Sequence, residues 1–139
     1  MFLEGEGWVT ADGVLSLEHD AANFYWGNEW RMPTMNELSA LKNKCDWTWT
    51  TMNGVNGHVV RGRGDYASNS IFLPAAGCGN SSTLDNFGSL GYYWSSVSYL
   101  SSFTSAWFLR FGSVSPDTIS YTYRNDGLSL RPVQVILEK

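Results

Sequence analysis

The 139-residue chain is 43% hydrophobic and only 16% charged, enough apolar material for one domain with its own core and too much for a disordered tail. Aromatic residues make up 15%, with seven each of Trp, Tyr and Phe, so large rings carry much of the burial and of any recognition. Nine Lys and Arg against thirteen Asp and Glu leave a net charge of -4 and a pI near 5.0; without a cationic field to hold a phosphate backbone, nucleic acid is not an expected partner.

No apolar run approaches the roughly 20 residues that a bilayer requires, so no membrane insertion is expected. Met1 to Trp8 is acidic and Gly-rich, unlike a signal peptide, and the chain reads as soluble and unprocessed. The opening places Asp12-Gly13 between two short apolar segments, Trp8 to Leu15, which reads as a hairpin. Leu17, Ala21, Phe24 and Tyr25 then recur at helical spacing, with Ser16 as N-cap and Gly27 just past the end, and predict a first helix over 17–26. Thr34-Met35-Asn36-Glu37 has the pattern of a capping box and opens a second helix, Met35 to Lys44. Its inward stripe is Leu38, Leu41 and Cys45, and Lys42 and Lys44 near its end suit the helix dipole. Cys45 and Cys78 could pair in an oxidising compartment or stand as separate thiols.

Beyond Asp46 the texture changes to short apolar segments separated by Gly and Asn. Strands are predicted over 47–52, 57–61, 70–73, 92–96, 106–111, 118–123 and 128–136. Alternation is clearest in Trp107, Leu109 and Phe111, expected to face inward, with Phe108 and Arg110 facing outward. Two early helices packed on short antiparallel strands with long loops make an α+β fold.

The residues that chemistry would need are sparse. His19 and His58 stand alone, without HExxH or CxxC, and the Asp residues are dispersed, so no metal site is expected and each histidine reads as a surface or satisfied core residue. Ser115-Pro116-Asp117 is superficially similar to the calcium motif of sugar-binding C-type lectins, but the Trp-Asn-Asp partner of that motif is missing. There is no GxSxG elbow, no cysteine nucleophile signature and no carboxylate pair singled out by spacing. The Gly-x-Gly occurrences lack a phosphate-loop context and read as turns. No catalytic residue and no cofactor is therefore assigned, and the chain is expected not to be an enzyme. Arg63-Gly64-Asp65 matches an integrin-recognised tripeptide but reads as a turn between strands.

Seven segments in order carry a family likeness: Asp20-Ala21-Ala22; Trp30-Arg31-Met32-Pro33-Thr34 with Glu37-Leu38; Cys45 to Thr51; Asn53 to Gly57; Ser70 to Gly77; Gly91-Tyr92-Tyr93-Trp94-Ser95-Ser96; and Leu130-Arg131-Pro132-Val133. Together they resemble the major-paralogous-domain proteins of gut bacteria and their phages, related to the formylglycine-generating-enzyme branch of the C-type lectin fold. The resemblance implies a single C-type-lectin-like domain over 1–139, with a framework of about 1–94. Members of this fold include the variable proteins of diversity-generating retroelements, in which a C-terminal segment is rewritten at adenines. Here the corresponding segment is about 95–133, beginning near Tyr93-Trp94-Ser95-Ser96 and ending in Gly127 to Val133. The enzyme branch uses a C-terminal cysteine pair, and this chain has no cysteine after Cys78, so that chemistry does not carry over.

Mutating the adenines of an Asn codon that ends in a pyrimidine yields Ser, Tyr, Phe, Thr or Asp but never Lys, Glu, Gln, Met or Trp; from Val97 to Tyr123 the first four do not occur, and the one Trp, Trp107, is assigned to the scaffold. The same depletion runs back to Tyr66, so the pattern of outward positions carries more weight. Those positions are Tyr99, Ser101, Phe103, Phe108, Arg110, Ser113, Ser115, Asp117, Ser120, Tyr121 and Tyr123, a mixture of rigid rings and small hydroxyls typical of antibody paratopes. They are the expected ligand contacts, while Trp94, Trp107, Leu109 and Phe111 are assigned to the core and Arg131 to structural hydrogen bonding. The resemblance implies a retroelement-diversified binding protein for a protein or glycan ligand at a cell or virion surface. The alternative is a fixed-specificity bacterial surface adhesion or glycan-binding paralogue. Neither the ligand nor the oligomeric state is specified by these residues.

Overall fold

A computed structural model describes residues 10, 13–27, 29–80, 82–99, 104–114, 116–123 and 126–134, without the side chains of 80 and 116–118. The chain is α+β, with two helices followed by mostly antiparallel strands. A single 3-10 turn, Leu17–His19, leads into α1, Ala21–Trp26. The N-cap of α1 is Asp20 rather than Ser16: its buried carboxylate accepts hydrogen bonds from the amides of Ala22 and Asn23, and also from Met32 across the following loop. Helix α2, Met35–Lys44, has the bounds that its sequence predicts. The Thr34 hydroxyl accepts from the Glu37 amide at 3.2 Å, and the Glu37 carboxylate accepts from the Thr34 amide at 2.9 Å, completing the capping box.

Between the helices, β1 (Trp30–Arg31) pairs with β10 (Val133–Gln134) and ties the first strand to the last. Strands β2 (Asp46–Met52), β3 (Val55–Arg61) and β4 (Ser70–Pro74) form an antiparallel meander. Its first turn is Asn53-Gly54, both with positive φ, as a tight two-residue hairpin turn requires. A small hairpin, β5 (Cys78–Asn80) with β6 (Thr83–Asp85), follows. The third sheet is β7 (Gly91–Ser98), β8 (Ser105–Phe111) and β9 (Pro116–Tyr123), with β8 in the centre. Two irregular segments occupy the outer edge of β7: Ser129 exchanges backbone hydrogen bonds with Tyr92 and Trp94, and Gly13 and Leu15 bond Ser98 and Ser96.

The core lies where the two larger sheets and α2 meet. Val60, Leu73, Ala75, Tyr93 and Phe111 are buried together, with Leu41, Trp47, Trp49 and Ile71 packed around them. Of the opening hairpin, the described part holds hydrogen bonds from Thr10 to Val14 and from Gly13 to Thr10; Trp8, Val9, Ala11 and Asp12 lie outside the described residues. Cys45 and Cys78 are both free thiols, and burial pushes the Cys78 thiol up.

Two sequence expectations are corrected. Phe24 and Tyr25, which recur with Leu17 and Ala21 at helical spacing, are 72% and 75% exposed, and Trp26 is 57% exposed. The six-residue α1 turns the Ala22 side inward instead of the stripe through Ala21, Phe24 and Tyr25, so all three rings lie on its solvent side. Phe108, expected outward, is only 8% exposed. It sits on the middle strand, in register with Trp94 on one side and Ser120 on the other, and its ring packs against Tyr92 and Trp94.

Candidate functional site

The registers of β8 and β9 decide which of the expected contact residues meet. Trp107 lies opposite Tyr121, and Ser105 opposite Tyr123, so by strand alternation these side chains share the face that carries Leu109 and Phe111. Leu109 and Phe111 are fully buried, whereas the other end of the same face opens to solvent. There Tyr99, just beyond β7, is held by its amide to the Ser105 carbonyl at 3.0 Å. Its ring lies flat on Tyr121, with centroids 3.7 Å apart and planes 5° apart. Trp107 meets both rings edge-on, at 5.5 Å and 5.4 Å. A stacked pair with a third ring at its edge combines the two favourable contacts of aromatic quadrupoles. Tyr121 remains 44% exposed and Tyr123 63%. The hydrogen bond between Tyr121 and Tyr99 raises the pKa of the Tyr121 phenol, because the proton that would leave is the one they share.

The other expected contacts divide three ways. Ser113 is exposed on the turn after β8, and Ser120 is half-buried on the Phe108 face. Arg110 is half-buried on that same face, in register with Tyr92 and Thr118, and engaged by a partner. Asp117 lies on β9, with a side chain that is not described. Ser101, Phe103 and Ser115 fall outside the described residues. Trp107, assigned to the core, is only half-buried and is the ring that holds the tyrosine stack. Its place at the open end of β8, two residues before the first fully buried side chain of that face, was the available signal. Trp94 is likewise half-buried, edge-on to Phe108.

Elsewhere, Trp26 joins Trp30, Arg131 and Pro132 around a shallow depression. Arg131, expected in structural hydrogen bonding, is exposed and pairs with no carboxylate among the described residues. The Arg63 guanidinium turns back onto the C-terminus of α2, bonding Asp46 at 2.8 Å and the Cys45 carbonyl at 3.2 Å. Arg63-Gly64-Asp65 is accordingly a turn whose arginine is engaged within the fold. His58 is completely buried and bonds the Gly112 carbonyl at 2.6 Å. Among the described residues no group of three or more His, Cys, Asp and Glu is placed to hold a metal ion, and no helix is long and apolar enough to cross a membrane.

The chain matches the model of a domain family of unknown function, DUF8237, over residues 47–133. That is more than half of its length, and the chain belongs to this family. The matched region contains both larger sheets, apart from Asp46 at the start of β2, and the tyrosine stack. No curated protein and no solved structure matches the chain.

Proposed function

We propose that the chain is a non-enzymatic ligand-binding domain of C-type-lectin-like fold, whose β8–β9 face recognises a protein or glycan at a cell or virion surface. The observation that carries this reading is the Tyr99–Trp107–Tyr121 group with Tyr123 beside it. Four rings from three neighbouring segments are gathered at the open end of one sheet face, and two of them remain substantially exposed. Rings already locked against each other lose little conformational entropy when a ligand covers them, the property that makes tyrosine effective in paratopes. The sequence resemblance adds that positions within about 95–133 are rewritten by a retroelement, with Trp107, Leu109 and Phe111 as fixed scaffold.

Sequencing the DNA that flanks the gene tests the reading. The expected result is a near-copy of codons 95 to 133, differing only at adenines, beside a reverse transcriptase gene, with the differences falling on Tyr99, Tyr121 and Tyr123 and sparing Leu109 and Phe111. A flank without such a copy would favour the fixed-specificity surface paralogue. A copy whose differences fall on the buried positions would overturn the assignment of this face.

A further inference from the structure

A partly open, mostly apolar pocket lies between α2 and the two larger sheets. Leu38 and Leu41 of α2 wall one side of it, and Leu73, Tyr93 and Leu109 of the sheets wall the other. Its volume is about 230 Å³. Protein interiors leave few voids larger than a water molecule, and an apolar cavity of about 150 Å³ already admits benzene. Water finds few hydrogen-bond partners along this lining, whereas a well-held water makes two to four. The Tyr93 hydroxyl, the polar group on the inner wall, already donates to the Pro74 carbonyl at 2.8 Å.

Two charged residues line the same space, and they are not equivalent. Glu37 is bound by both terminal nitrogens of Arg31, at 2.6 Å and 2.9 Å, so its charge is balanced. Arg131 is exposed and has no carboxylate partner among the described residues. Among the described residues the result is an apolar pocket with one positive charge at its edge that no carboxylate balances. The geometry points to a binding site for a free medium-chain carboxylate, its tail in the cavity and its head on the Arg131 guanidinium. Scaling from six carbons in about 150 Å³, 230 Å³ takes about nine carbons, room for the tail of an eight-carbon acid. The site shares no residue with the Tyr99–Trp107–Tyr121 group and stands or falls independently of it.

Octanoate and 1-octanol, titrated separately into the full chain and followed by methyl NMR, test the proposal. Octanoate should saturate at one equivalent, shift the methyls of Leu38, Leu41 and Leu109, and bind about tenfold tighter than octanol, as one charge-assisted contact allows. Arg131→Gln should erase that preference while keeping octanol binding. Leu41→Phe should fill the hole and weaken both ligands at least about tenfold while the fold melts no earlier; Ile71→Phe approaches from the opposite wall should Leu41→Phe fail to fold. Absence of saturable shifts at millimolar octanoate would overturn the proposal. So would octanoate binding indifferent to both the Arg131 and the cavity-filling variants. Saturation that appears only after removal of residues 135–139 would assign the cavity to the chain's own end instead.

Discussion

Glu37 takes three hydrogen bonds at once, two from Arg31 and one from the Thr34 amide. The Arg31 bonds, strongest among these, hold its carboxyl below the ordinary value of about 4.3. A depressed carboxylate pKa stabilises the folded state above the unfolded value, and that contribution is lost as pH falls through the folded one. The two side chains are 29% and 41% exposed, so solvent screens the pair. Glu37→Gln, which leaves an oxygen to cap Thr34, should cost about 0.5–1 kcal/mol at pH 7 and progressively nothing below about pH 4. Urea unfolding at both pH values measures this; an equal cost at both would show that the ion pair contributes nothing. His58 is the opposite case, a lone histidine whose sequence context said only surface or satisfied core. Its Nε2 donates to the Gly112 carbonyl, its Nδ1 has no partner among the described residues, and Trp47, Trp49 and Phe111 surround the ring at 5.2–5.6 Å of it or of one another. His58→Ala should therefore cost about 3 kcal/mol, from the hole left behind and the carbonyl left unbonded.

The two helices differ in how far local residues determine them. The bounds of α2 were legible because a capping box is satisfied entirely within four residues. The N-cap of α1 was not, because Asp20 is chosen partly by the Met32 amide, twelve residues away. This contrast predicts where α1 is vulnerable. Asp20→Ala leaves the amides of Ala22, Asn23 and Met32 without their acceptor in a buried place and should cost about 2–3 kcal/mol. Phe24→Ser, at a ring that periodicity alone would bury, should change stability by no more than about 0.5 kcal/mol. Thermal melts of the two variants decide it, and a large loss for Phe24→Ser would return that ring to the core. Among the strands, alternation located Leu109 and Phe111 correctly and misplaced Phe108, since a middle strand with neighbours on both sides buries rings on either face. The β5–β6 hairpin was not read at all: Gly79, Asn80, Ser82 and Thr83 carry no apolar alternation to reveal it. Tyr99 and Tyr121 stand out in the sequence by composition, but their stacking depends on the turn between β7 and β8, which no spacing rule specifies.

At the scale of the whole molecule, Phe111 joins the two larger sheets. Its ring stacks on Tyr93 of its own sheet at 5.8 Å and meets Trp47 and His58 of the other sheet at 5.6 Å and 5.2 Å. The His58 bond to Gly112, one residue on, reinforces the same junction. Such a ring needs space on the neighbouring strand, and Gly91 provides it: the two residues are in register, and a Cβ on Gly91 would overlap the Phe111 ring. Gly91→Ala therefore forces Phe111 out of its place between the sheets and should cost about 3 kcal/mol. Phe111→Leu alone, which shrinks the ring but keeps an apolar side chain, should cost about 1.5 kcal/mol. If the clash is the whole cause, the double variant should be more stable than the sum of the two by at least about 1 kcal/mol, because the smaller side chain makes room for the new methyl. Chemical unfolding of all four proteins closes the cycle. Strict additivity would place the cost of Gly91→Ala in the backbone of β7 and remove Phe111 as the link between the sheets.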